Sequence, residues 1–107
     1  MTTPSPYTTE QPARADIDAL KGAAVLDFGT NWCGHCQAAQ PLVDRVLGAR
    51  ADVTHVKVED GSGRPLGRSY RVKLWPTLVF LKDGVEVARV VRPVTTQTVS
   101  EALTAAG

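Results

Sequence analysis

Apolar positions fall into two rhythms along the chain, one of period near 3.6 and one close to 2, and they alternate from segment to segment. Ala13, Ile17 and Leu20 lie on one helical face between Pro12, which suits a first helical turn, and Gly22, which suits an end. They predict a first helix. Ala23-Ala24-Val25-Leu26-Asp27-Phe28 follows as an almost unbroken apolar run, the pattern of a strand covered on both faces. Ala39, Leu42, Val43, Val46 and Leu47 then trace a second helical stripe that Gly48 can end, and Pro41 inside it predicts a kink, because its nitrogen cannot bond back to Gln37.

The second half repeats the alternation. Residues 53–58 read as a strand, 61–63 as a glycine loop, and Pro65 to Tyr70 as a short helical piece. The runs 77–81 and 85–91 flank Lys82-Asp83-Gly84, whose Asp-Gly pair predicts an antiparallel hairpin. A last helix from about Thr96 buries Val99, Ala102, Leu103 and Ala106. Ahead of all this, residues 1–11 are expected to be a flexible segment, within which Tyr7-Thr8-Thr9 can form a short strand. The remainder, 12–107, reads as one α/β domain: a central mixed sheet with helices on both faces.

Composition adds bounds to this picture. The chain has 107 residues, 43% of them apolar, enough for one core without disulfide staples. Its twelve basic and eleven acidic residues nearly cancel, so no global field draws it to nucleic acid or to an anionic membrane. Met1 to Pro12 lack the basic start and apolar run of an export signal, and no apolar stretch approaches the roughly 18 residues of a spanning helix. The expected address is cytoplasmic and the expected state a monomer.

The chemistry concentrates in Trp32-Cys33-Gly34-His35-Cys36, which holds both cysteines. In a reducing compartment such a pair points to catalysis or metal binding. Cys33 falls at the start of a helix, where free backbone N–H groups and the dipole favour an ionised sulfur. That makes Cys33 the candidate nucleophile, with protonated His35 tuning it and Gly34 leaving the backbone open to an incoming disulfide. Cys36, about one turn inward, is the candidate resolving thiol. Asp27 is costly to bury in an apolar strand without a reason. It is the candidate acceptor of the Cys36 proton, directly or through a water, with Lys57 tuning it by charge.

These residues, together with Pro41, the Trp75-Pro76-Thr77 segment and the Lys82-Asp83-Gly84 turn, resemble the thioredoxin family from about Pro12 onward. The general reading of Cys-x-x-Cys near a strand-helix-strand pattern is itself drawn from this family. The resemblance implies a thioredoxin-like fold and a thiol-disulfide oxidoreductase that reduces protein disulfides. It implies no bound cofactor beyond a redox-active Cys33–Cys36 disulfide, and an NADPH-linked flavoprotein thioredoxin reductase as electron donor. It also implies a cis Trp75–Pro76 bond beside the cysteines and a substrate surface of Trp32, Gly34, Trp75, Pro76 and Arg92.

Three departures from the family pattern bear on direction and specificity. Gly34-His35 stands where thioredoxins carry Gly-Pro and where disulfide isomerase domains carry Gly-His, which favours a more oxidising disulfide. Trp75 replaces a smaller apolar residue, and Arg92-Pro93 replaces a glycine; Arg92 with Lys73 is expected to form a basic rim. The alternatives are an oxidase or isomerase, a non-catalytic binding module, and a zinc site drawn from Cys33, His35, Cys36 and His55. The spacing argues against the zinc site. His55, Arg64, Arg68, Arg71 and Lys73 read as ordinary surface or strand residues, and glycines 61, 63 and 67 as a loop that only imitates a dinucleotide fingerprint.

Overall fold

A computed structural model describes residues 6–107. Four strands, β1 (Ala23–Gly29), β2 (Thr54–Glu59), β3 (Thr77–Lys82) and β4 (Val85–Val91), form one sheet in the order β2-β1-β3-β4. β1 pairs parallel with β2 and antiparallel with β3, and β3 pairs antiparallel with β4. The helices are α1 (Arg14–Asp18), α2 (Gly34–Leu47), α3 (Pro65–Ser69) and α4 (Thr96–Ala106). This is the expected mixed sheet.

The period-2 geometry of β1 divides its side chains between two cores. Ala24, Leu26 and Phe28 pack with Ile17, Leu66 and Tyr70 on the face of α1 and α3. Val25 packs with Val43, Leu47, Val99 and Leu103 on the face of α2 and α4. Both faces are therefore covered, and the almost unbroken apolar run of β1 follows from its central place. Asp27 interrupts that run on the α2 side, two residues beyond Val25.

The hairpin forms as its sequence requires. Asp83 and Gly84 both have positive φ, 51° and 81°, which is the backbone of a two-residue type I′ turn. Asp83 also accepts from the Gly22 N–H at 2.8 Å, tying the hairpin to the entry of β1. Helix α2 runs through Pro41 to Leu47, and α4 starts under a Thr95 cap whose hydroxyl accepts from the Thr98 N–H at 3.2 Å.

Two expectations are altered. The helix read over Pro12–Gly22 shortens to Arg14–Asp18, because Ala13 caps it without a side-chain bond and so short a helix has little cooperativity of its own. The segment 1–11 was expected to be flexible; residues 1–5 lie outside the described residues, whereas Tyr7 is buried and Thr8 makes a parallel bridge to Val58. Its backbone is held by Thr8 N–H to Lys57 O at 3.0 Å and by Glu59 N–H to Thr8 O at 2.8 Å. The short strand reduces to this bridge, and the packed domain reaches back to Tyr7.

Candidate functional site

The turn after β1 delivers Cys33 to the position just before α2. Cys33 is the N-cap residue, and its Sγ accepts the Cys36 backbone N–H at 3.2 Å. Both cysteines are thiols. Both cysteines are buried, Cys33 at 8% exposed and Cys36 at 1%. Burial first, and then the bond to Cys33, push the Cys36 thiol up from 9.0 to about 12. Cys36 therefore keeps its proton at neutral pH.

Asp27, only 2% exposed, has both carboxylate oxygens engaged. The Tyr7 hydroxyl donates to Oδ1 at 2.8 Å, and His55 Nε2 lies 3.2 Å from Oδ2. Neither partner was read from the sequence. Tyr7 falls in the segment expected to be flexible, and His55 reads as an ordinary surface or strand residue. Its alternation with Val56 and Val58 was the available signal, since β1 and β2 pair Val25 with His55 and Asp27 with Lys57. Lys57 Nζ lies 3.3 Å from Asp44 Oδ1 of α2, a residue that sequence reasoning also missed.

Tyr7, Cys33 and Cys36 form one buried cluster, with Trp75 packed against it. The Trp75–Pro76 bond is cis, as expected. Trp32, 73% exposed, stands edge-on to Trp75 with ring centroids 5.7 Å apart. The Trp75 indole donates to Asp60 Oδ2 at 2.8 Å. Arg92 adopts a positive φ of 50° and donates from Nε to the Trp75 carbonyl at 2.9 Å. Its conformation is the one a glycine adopts freely. Gly34 faces open space and His35 is exposed.

Beside this surface, Asp60, Arg64, Arg68, Arg71, Lys73 and Trp75 line a cleft of about 620 Å³. Arg64 is paired with Glu59 at 2.6 Å, while Arg68, Arg71 and Lys73 are exposed and have no acidic partner among the described residues. The sequence read these cations as a solvated face; they also line a cleft whose shared wall with the thiols is Trp75. The described residues hold no group of three or more His, Cys, Asp and Glu arranged for a metal ion, and His55 is turned to Asp27. No helix among them is long and apolar enough to cross a membrane.

Comparison with known proteins matches residues 6–105 to the family model described as Thioredoxin. The chain belongs to the thioredoxin family. A thioredoxin of Chlamydia pneumoniae is 36% identical over 76 residues, covering 71% of this chain and 74% of that one. Thioredoxin H2-1 of Oryza sativa is 36% identical over 67 residues, 63% of this chain. The chain spans about half the length of that rice protein, 49% of it. The reduced form of thioredoxin 2 from Pseudomonas aeruginosa PAO1 superposes with a TM-score of 0.82 at 57% identity, covering 94% of this chain and 93% of that one. Family membership and the adjacent thiol pair make this domain a thiol-disulfide oxidoreductase.

Proposed function

We propose that the protein reduces protein disulfides by dithiol-disulfide exchange at Cys33 and Cys36. The observation that carries this reading is the N-cap geometry, in which Cys33 Sγ receives the Cys36 N–H at the opening of α2 while Cys36 lies beneath it. The Cys33 thiolate attacks one sulfur of the substrate disulfide, a mixed disulfide forms, and the first substrate thiolate leaves. Cys36 loses its proton and attacks Cys33 Sγ, forming the Cys33–Cys36 disulfide and releasing the second substrate thiolate. Two electrons pass to the substrate, and a thioredoxin reductase linked to NADPH returns them. No bound cofactor is needed beyond the cysteine pair.

The remaining roles are part of the same proposal. Asp27 accepts the Cys36 proton, Lys57 tunes the Asp27 side of the sheet, and His35 tunes Cys33 from the exposed turn. Trp32, Gly34, Trp75, Pro76 and Arg92 form the surface on which the substrate rests. The cations Arg68, Arg71 and Lys73 favour substrates whose disulfide is flanked by acidic residues, since complementary charge raises encounter rates. The protein works as a cytoplasmic monomer without nucleic acid or membrane.

Equilibration of the purified protein with glutathione redox couples tests the direction of flux. A potential near that of cytosolic reductants supports the reductase, and a much higher one supports the oxidase or isomerase that His35 favours. Failure to reduce insulin disulfides catalytically in the presence of dithiothreitol would leave only the binding module.

A further inference from the structure

Tyr7 and Asp27 are 20 residues apart in sequence and share a buried hydrogen bond, with the phenol donating to Oδ1 at 2.8 Å. Cys36 is the other neighbour of that hydroxyl. A Cβ on Gly29 would meet Cys36 Sγ at 2.6 Å and the Tyr7 hydroxyl oxygen at 2.8 Å, so sulfur and hydroxyl share the small volume left open by the missing side chain. Each of the two groups is among the causes that shift the other's pKa, as their shared position over Gly29 requires. The phenol is fixed from its other end, because the Tyr7 backbone N–H donates to Asn31 Oδ1 at 2.9 Å and Thr8 is bonded into the edge of β2.

We propose that Tyr7 is a catalytic residue of the resolving step, its hydroxyl carrying the proton from the Cys36 thiol to the Asp27 carboxylate. This rests on the reading of Cys36 as the resolving thiol. The phenol oxygen takes the thiol proton as it releases its own to Oδ1, so no tyrosinate forms. Burial, and then the Asp27 charge, raise the Tyr7 pKa, which keeps the phenol protonated between turnovers. The products are a Cys36 thiolate, a neutral Asp27 and an unchanged Tyr7. The thiolate's electron pair then makes the bond to Cys33 Sγ, and the substrate thiolate departs with the pair of the broken mixed disulfide.

His55 is a positioning residue in this arrangement. Its Nε2 holds Asp27 Oδ2 at 3.2 Å, which leaves Oδ1 turned to the phenol. The His55 side chain is 19% exposed against 2% for Asp27, so it also connects the buried carboxyl toward solvent. The other titratable groups around Asp27 are Lys57, its register partner on β2, Asp44 of α2, which pairs with Lys57, and the two cysteines. β3 contributes the apolar Leu78 opposite Asp27.

Rapid mixing of the full-length reduced protein with dithiobis(nitrobenzoate) separates the steps, since attack by Cys33 releases one coloured thiolate and resolution by Cys36 releases the second. In Tyr7→Phe the second phase should slow by about a hundredfold and become dependent on hydroxide, while the first phase keeps its rate. Tyr7→Phe/Asp27→Asn should lose no more than Asp27→Asn alone, because the two act as one unit. In the unmodified protein the second phase should slow in deuterium oxide, with a curved dependence on deuterium fraction as two protons move together. A second phase in Tyr7→Phe with the original rate and pH profile overturns the proposal, and so does equal slowing of both phases, which marks a packing role. A linear deuterium dependence overturns it without any variant. Release of only one thiolate by the unmodified protein removes the resolving role of Cys36 itself.

Discussion

Gly29 and Cys36 approach so closely that a methyl group on Gly29 would sit 2.6 Å from the Cys36 sulfur. Only a residue without a side chain lets the end of β1 pass under the start of α2 at this distance. Glycine here is a requirement of packing, since no positive φ is involved.

Gly29→Ala should therefore destabilise the fold by about 1–3 kcal/mol through overpacking. Urea denaturation of the reduced protein measures this. The same variant should displace Cys36 or Tyr7 and slow disulfide reduction beyond what the stability loss explains.

Alkaline pH should weaken the reduced protein. The folded Cys36 thiol is raised from 9.0 to about 12, so its contribution to stability is intact below pH 9.0 and declines as pH rises toward about 12. Over that window the unfolded chain has released this proton and the folded chain has not, a slope of about 1.4 kcal/mol per pH unit. Tyr7, raised from 10.0 by burial and by Asp27, acts with the same sign and adds to the decline above pH 10.0. Denaturant midpoints against pH should fall more gently in Cys36→Ala.

Cys36→Ser should trap the mixed disulfide on Cys33. Mass spectrometry after mixing with a disulfide-bearing peptide is expected to show one stable adduct per chain, and Cys33→Ser should show none. An adduct on Cys36 in the latter variant would reverse the assigned roles. Catalytic turnover should be lost in both.

Charge reversal in the cleft should act on substrate choice. Arg68→Glu/Lys73→Glu should lower kcat/KM for a peptide with acidic residues beside its disulfide by about tenfold at low salt and much less at high salt. A neutral peptide should be little affected. Both side chains are exposed and lack acidic partners among the described residues, so the fold should tolerate the change.

Trp75 depends on Asp60 for its orientation, through the 2.8 Å bond from the indole. Gly67 makes that possible, because a Cβ there would collide with the Asp60 carboxylate. Gly67→Ala and Asp60→Ala should both raise KM for protein disulfides more than they lower kcat, as expected if Trp75 positions substrate. The three glycines that imitate a nucleotide fingerprint thus serve a loop and a tight helix approach.

The sequence alone determined the elements whose signals are local. The Asp83-Gly84 turn needs two positive φ angles and uses the residues that adopt them, β1 is apolar except at Asp27 because it lies between two helical layers, and the cysteine spacing sets both sulfurs at the start of α2. What only the tertiary structure decided is the set of contacts made across long sequence separations. Tyr7 and His55 reach Asp27 over 20 and 28 residues, and neither separation leaves a trace in periodicity or composition. Local patterns report which face of an element is buried; which side chains meet there depends on strand order and register, fixed when β2 docks beside β1 and the Tyr7 segment beside β2.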